Sequence, residues 1–292
     1  MFPAAEDEIQ LIAASQFSLE QLTAIYNQSR VDYIIPMPMS AARLQEYIAT
    51  YDVSLPHSLV AATASGEMLG VAMLGVRKNR AWLTRLGVLP ATRRHGTGRA
   101  LMEGLLRQAD SLGLRFSMLE VIKNNTPAHQ LFLKLGFQEQ GELLILRRSP
   151  TIPPPTPLIA DAERLERLDA LSLLSRARGL RPWTNQPETF FNLPDVSGLH
   201  VTLPDGSRGW LVYQRQKFTL TRFFFQTEAG DPALVARAFL THLHHQYPRL
   251  DTHIENIRAA DPHLPAFYEM GYLEAFRRIE MWRGDLPPSL QN

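Results

Sequence analysis

The sequence, 292 residues long, predicts an α/β fold of mixed α+β type: a mostly antiparallel sheet flanked by helices, built twice in tandem. Three observations predict it. The first half carries short apolar and amphipathic stretches in the order strand, two helices, three strands, helix, strand, helix, strand, and the three successive strands suit an antiparallel meander. The second half repeats that order. Leu119-Glu-Val aligns with Ile254-Glu-Asn, and Leu131-Phe-Leu-Lys-Leu-Gly-Phe137 with Ala266-Phe-Tyr-Glu-Met-Gly-Tyr272, at one offset of 135 residues without gaps across 19 positions. Between the halves, Pro150-Thr-Ile-Pro-Pro-Pro-Thr-Pro157 puts five prolines in eight residues, which neither continue a helix nor sit in a central strand. The expected division is residues 1–149, a linker 150–157, and residues 158–292.

Each element has its own signal. Ile9 to Ala14 reads as a strand, and Ser18-Leu-Glu-Gln21 opens a helix as a capping box. A second helix runs from Ser40 to about Thr50. Between these helices, Val31 to Met39 is too apolar for an ordinary solvated loop. His57 to Ala64, Met68 to Val76 and Ala81 to Val88 form the meander. Leu101, Leu105, Ala109 and Leu112 give helical spacing over Gly98 to Leu112. Arg115 to Ile122 follows as a strand, Pro127 to Leu135 as a helix and Glu142 to Arg148 as a strand. In the second half, Val201–Pro204, Gly209–Gln214 and Phe218–Phe225 match the meander and Pro232–His245 the helix after it.

Composition narrows the function. Lys plus Arg is 30 against 29 for Asp plus Glu, a net charge of +1, and the two halves divide these evenly, so no global field draws in nucleic acid or an anionic membrane. The absence of cysteine removes thiolate nucleophiles and cysteine-ligated metal sites. The expectation is a cytoplasmic protein with no nucleic-acid or membrane partner and no metal. His242 and His245, three apart on a helix, read as solvated residues of its last turn.

The chemistry lies at Leu86-Gly-Val-Leu-Pro-Ala-Thr-Arg93-Arg94-His95-Gly96-Thr97-Gly98-Arg99, a strand, a short turn and a helix start. Free amides at a helix start carry partial positive charge, and glycines let an anion approach that backbone closely. A Walker loop is excluded, because no Gly-Lys-Ser/Thr follows, and a dinucleotide fingerprint would need glycine where Leu101 stands.

This segment resembles the Arg/Gln-x-x-Gly-x-Gly/Ala signature of the GCN5-related N-acetyltransferase (GNAT) family. Leu119-Glu-Val-Ile-Lys-Asn-Asn125-Thr-Pro-Ala128-His-Gln-Leu-Phe132-Leu-Lys-Leu-Gly136-Phe137 resembles the family's second signature. The resemblance implies two acyl-CoA N-acyltransferase-like domains, with acetyl-CoA or another acyl-CoA as co-substrate and an amine, on a small molecule or a protein, as acceptor. It places the pyrophosphate on the amides from Arg94 to Arg99, the pantetheine arm beside the strand ending at Val88, and Asn125 against that arm. It also implies that the Val88 amide polarises the acyl carbonyl and that Glu120 is the general base, since no residue from Ala81 to Val88 is acidic. Phe132 departs from the family's tyrosine, the acid that protonates the leaving thiolate, and leaves Tyr33 as the substitute. The acceptor side falls on the loop from Val31 to Met39, with Asp32, Tyr33 and Met37 as candidates.

In the second copy, Glu228 and Asp231 stand where pyrophosphate would bind and Ala260 falls at the Asn125 position. Like charge repels there, so this copy reads as a degenerate, non-binding partner. The rivals to an enzyme are a non-catalytic acyl-CoA sensor and a structural adaptor that uses the fold as a scaffold.

Overall fold

The computed structural model describes residues 9–152 and 160–287. The chain divides into two compact units. One runs through Glu139 and takes in the segment from Met281, and the other is Gln140–Glu280.

The first unit contains β1 (Gln10–Ala13), α1 (Leu19–Gln28), α2 (Ala41–Thr50), β2 (Leu59–Ala62), β3 (Met68–Arg77), β4 (Arg80–Val88), α3 (Thr97–Ser111), β5 (Phe116–Ile122) and α4 (Thr126–Lys134). Both halves of the capping box form: Ser18 Oγ accepts from the Gln21 amide (3.2 Å) and Gln21 Oε1 from the Ser18 amide (2.8 Å). The sheet order is β1-β2-β3-β4-β5. All neighbours are antiparallel except β4 and β5, which are parallel and joined through α3. The buried face of α3, Leu101, Leu105 and Ala109, keeps the predicted spacing. Gly104 lets it come close, since a Cβ there would lie 2.6 Å from Leu59 Cδ1 and 2.7 Å from Leu11 Cδ1.

The second unit repeats the plan. It holds most of β6 (Gln138–Arg148), then β7 (Asp161–Leu165), α5 (Arg167–Leu173), α6 (Pro187–Phe191), β8 (Ser197–Thr202), β9 (Arg208–Arg215), β10 (Thr219–Ala229), α7 (Pro232–Gln246), β11 (Asp251–Arg258), α8 (Leu264–Glu269) and most of β12 (Leu273–Arg283). Its order is β12-β6-β11-β10-β9-β8-β7. Val201, Leu211, Phe225, Phe239, Leu243 and Phe267 belong to its larger core.

The units do not coincide with residues 1–149 and 158–292. Leu143, Leu144, Ile145 and Leu146 are each at most 1% exposed, and a continuous apolar run of this kind needs cover on both faces. One face, Leu144 and Leu146, packs into the core of the second unit, where β6 pairs antiparallel with β11, Leu146 opposite Ile254 and Leu144 opposite Ile257. The strand that ends the first repeat thus lies beyond the division. In return, the end of β12 belongs to the first unit, where Trp282 meets Phe116 edge-on at 5.5 Å and Arg283 Nε donates to the Leu135 carbonyl at the end of α4 (3.1 Å). Gly284 follows with φ +85°, and a Cβ there would run into the Arg115 carbonyl. Of the expected linker, residues 153–157 lie outside the described residues.

Candidate active site

β4 and β5 pair through only three rungs, Arg80–Phe116, Ala81–Ser117 and Trp82–Met118, and then part. The cause is visible in β4. Two of its residues, Arg85 and Leu86, oppose the single Ala72 between the Met73–Thr84 and Val71–Gly87 pairs, and Arg85 takes φ +56°. Such a bulge bends the strand and re-aims the residues beyond it. Past it, the Leu89 amide is spent on the Leu69 carbonyl (2.9 Å). Backbone groups alternate along a strand, so the Val88 amide faces the other way, into the gap.

At the mouth of the gap stands the start of α3. Arg94 and Gly96 both take left-handed backbone, φ +69° and +83°, and Gly96 caps the helix with no side-chain oxygen on its amides. Around Gly96 nothing lies within 4 Å of where a Cβ would be, while a Cβ at Gly98 would meet only Val88 Cγ2 (3.5 Å) and Leu131 Cδ2 (3.7 Å). The amides from Arg94 to Arg99 therefore open onto space. Arg94, His95 and Arg99 are exposed, Arg99 paired with Glu103 (2.7 Å), and Thr97 is buried under the helix. These residues fit an acyl-CoA, whose diphosphate needs donors and whose pantetheine amides need strand-like partners.

Arg93 points elsewhere. Its guanidinium grips both oxygens of Asp32 (2.6 and 2.7 Å) and also donates to the carbonyls of Ser29 (3.1 Å) and Val88 (3.2 Å). That bond holds the Asp32 carboxyl below the usual carboxylate range. The predicted cradle cation and the predicted acceptor carboxylate are thus partners, tying the loop after α1 to the end of β4. The loop's other end is pinned by Asn27, whose side chain bonds the Met39 carbonyl (2.8 Å) and amide (3.0 Å). Within the loop Met37 is half-buried, but Val31 is 76% and Ile34 54% exposed, so the apolar segment is only partly covered.

Glu120 lies two residues past the last β4–β5 rung. The Trp82 indole donates to its Oε2 (2.7 Å), and Trp82 rests against Tyr47 of α2 and Tyr51, which caps that helix. Tyr47 hydrogen-bonds Thr84 (2.8 Å), and burial pushes its phenol above the ordinary range. Asn125 caps α4 at a long 3.5 Å from the Ala128 amide and gives its Nδ2 proton to Tyr33 Oη (3.1 Å). Phe132 is buried and edge-on to Phe137 at 6.2 Å.

Two arginines escaped the sequence reading as site groups. Arg30, stacked between Tyr26 (4.7 Å) and Tyr33 (4.3 Å), donates to the Leu86 carbonyl (3.0 Å), the splayed group one alternation before Val88. Arg85 lies over the Tyr47 ring (4.1 Å) and donates to Tyr26 Oη (2.6 Å). The spacing of Arg30 from Tyr26 and Tyr33 allows the stacking but does not announce the Leu86 carbonyl 56 positions away, and Tyr26 and Tyr47, the partners of Arg85, come from distant elements.

In the second unit the matching helix start is closed. Asp231 Oδ1 accepts from the amides of Ala233 (2.7 Å) and Leu234 (3.2 Å). Glu228 sits among Arg176 (3.6 Å), His200 (3.3 Å) and Arg208 (3.7 Å). His242 hydrogen-bonds the Ala160 carbonyl (3.0 Å).

A parted pair of parallel strands, a bulge, and a glycine-rich helix start facing it define a class. Residues 20–137, within the first unit, match the family model described as "Acetyltransferase (GNAT) family". The fold of the whole chain is shared with solved structures, one of them of a tandem protein. The GCN5-related N-acetyltransferase from Sphaerobacter thermophilus superposes with a TM-score of 0.69 at 14% identity, covering 96% of each chain. A tandem GNAT protein from the clavulanic acid biosynthesis pathway gives 0.64 at 14% identity, covering 96% of this chain and 99% of that one. Among curated proteins, the chain is 36% identical over 77 residues to [Ribosomal protein bS18]-alanine N-acetyltransferase of Escherichia coli K12, 26% of this chain and 52% of that protein. It thus spans about half the length of the curated relatives it matches. Among the described residues no helix is long and apolar enough to cross a membrane.

Proposed function

We propose that the chain is a cytoplasmic N-acetyltransferase that moves an acetyl group from acetyl-CoA directly to a primary amine, with the chemistry in the first unit. The observation that carries this reading is the Val88 amide turned into the gap, with the open amides of the α3 start at its mouth. Acetyl-CoA, when bound, supplies an acyl carbon activated as a thioester. The amides from Arg94 to Arg99, with Arg94, His95 and Arg99 around them, hold its diphosphate. The Val88 amide takes up the negative charge that develops on the acyl oxygen. Glu120 removes a proton from the amine as its nitrogen bonds the acyl carbon and the carbon–sulfur bond breaks. Phe132 has no proton to give the departing thiolate. Tyr33, held by Asn125 at the start of the same helix, is the donor. Asp32, through Arg93, acts as the tether that keeps the acceptor loop of Tyr33 and Met37 in place.

The similarity to an enzyme named for an alanine acceptor puts peptide α-amines first among the acceptors to try. In a thiol-release assay with the best amine, Glu120→Gln is expected to lower kcat by about 10²- to 10⁴-fold while acetyl-CoA affinity stays within about twofold. An unchanged kcat removes Glu120 from the reaction. Phe132 favours a second reading, a non-catalytic acyl-CoA sensor, which predicts tight acetyl-CoA binding with no thiol release for any amine.

A further inference from the structure

The second unit has closed its helix start but kept its parted strands. β10 and β11 pair through Thr219–Asp251, Leu220–Thr252 and Thr221–His253, then separate where Arg222 (φ +53°) and Asn256 (φ +61°) bulge. The opening is a cavity of about 340 Å³, within the usual range for small-ligand sites. Its lining includes Leu180, Arg181, Phe224, Ile257, Arg258 and Asp261.

The charges around it are not equivalent. Arg258 is neutralised by the buried Glu280 (3.2 Å). Asp261 Oδ1 accepts from the His263 amide (3.0 Å) and from His263 Nδ1 (2.7 Å), and His263 Nε2 in turn accepts from the Thr227 hydroxyl (2.8 Å). Arg181 has no such partner. Its guanidinium lies over the Phe224 ring (4.8 Å) and donates one hydrogen bond, from Nη2 to the Phe225 carbonyl (3.1 Å). Among the described residues it has no carboxylate at ion-pair distance. A guanidinium has five N–H donors in a planar fork, so most of this one remains unspent on the protein. Burial, aided by Arg258 and only partly opposed by Asp261, pulls its pKa below the usual arginine value, the mark of a cation lacking compensation.

We propose that this cavity binds a small organic carboxylate, with the carboxylate in the Arg181 fork and the apolar body against Leu180, Phe224 and Ile257. A carboxylate fits better than a phosphate for two reasons. Of the three arginines on the cavity, Arg258 is paired with Glu280 and Arg178 is exposed to solvent, which leaves Arg181 as the half-buried cation to meet one negative charge, and the amides at the start of α7 that would serve a dianion are capped by Asp231. The second copy has then exchanged its ligand rather than lost it. This inference does not rest on the acetyl-transfer reading, and its test uses no acyl donor.

Full-length protein is titrated calorimetrically with sodium butyrate, sodium benzoate and inorganic phosphate. The expected result is one-to-one binding of both carboxylates, no binding of phosphate, and a loss of carboxylate affinity of at least about tenfold in Arg181→Met. Arg181→Lys, which keeps the charge but not the fork, is expected to weaken both acids at least about threefold. It carries the comparison if the methionine variant lacks the wild-type circular dichroism spectrum. Carboxylate heats indistinguishable from dilution, equal affinity in wild type and folded Arg181 variants, or phosphate binding that these variants abolish would each overturn the proposal.

Discussion

A buried histidine in the second unit makes this protein's stability depend on pH in a way that can be worked out beforehand. His244 on α7 is fully buried, with Arg148 Nη1 3.5 Å from its Nδ1 and Tyr272 Oη 2.9 Å from its Nε2. A guanidinium can only donate, so Nδ1 stays unprotonated and Nε2 donates its proton to the Tyr272 oxygen. A second proton would be both desolvated and repelled by Arg148, and burial first, then Arg148, lowers the pKa from 6.5 to about 3. In the unfolded chain the imidazole returns to its ordinary value. A lowered folded pKa means that the unfolded state binds the proton better, so stability is full above 6.5 and drains as the pH falls from there towards about 3. Between pH 7 and pH 5 the linkage amounts to roughly 2 kcal/mol, an order-of-magnitude figure. The assay is urea unfolding of wild type and His244→Gln at both pH values, followed by tryptophan fluorescence, with Trp183 and Trp210 buried in the same unit. Glutamine keeps a donor for Tyr272 and does not titrate, so the wild type should lose roughly 2 kcal/mol more than the variant on acidification. Stability changes that run parallel within about 0.5 kcal/mol would refute the assignment of a neutral, uncompensated imidazole.

Two further outcomes test the contrast between the helix starts. Gly98→Asp has room for its Cβ and puts a carboxylate in the first turn of a helix, so the thermal midpoint should hold while acetyl-CoA affinity, measured by calorimetry, falls at least about 100-fold; equal affinities would show that the amides at α3 do not hold the diphosphate. Asp231→Ala removes the cap from two amides of α7 and should cost about 1 kcal/mol in denaturant unfolding, whereas no change would mean that water satisfies those amides as well as the carboxylate does.

The local elements of the fold were legible because each has a short-range cause. Ser18 and Gln21 specify the start of α1 by bonds within one turn, and the spacing of Leu101, Leu105 and Ala109 specifies the face that α3 buries. Partnership between strands was not legible in the same way. The apolar run Leu143 to Leu146 says that β6 must be covered on both faces, but not which sheet supplies the cover. Both repeats end in a strand of the same kind, so a boundary drawn at the proline run follows the repeat and not the packing. The compact units instead divide at Glu139 and again at Met281, where the chain passes within a strand from one core to the other.

The site divides along the same line between local and distant causes. The strand-to-helix turn through Gly96 and Gly98 was readable because glycines report on their own conformation, whereas the bulge before it falls on Arg85, a residue with no such mark. Side-chain chemistry was readable only where one residue type is decisive, as at Phe132, whose ring has no transferable proton. Arg93 shows the limit. Beside the glycines it reads as a phosphate ligand, yet a carboxylate 61 positions earlier takes its fork, and the arginine holds the loop carrying Tyr33 instead. The second unit carries the argument further. Its strands part at the same bulge, and a single capping carboxylate, Asp231, takes the place of open amides at its helix start. The backbone of the gap is thus common to both copies, and the ligand each copy can bind is set by the few side chains around it. On that ground Arg181, which no motif singles out, says more about the second copy than its lost glycines do.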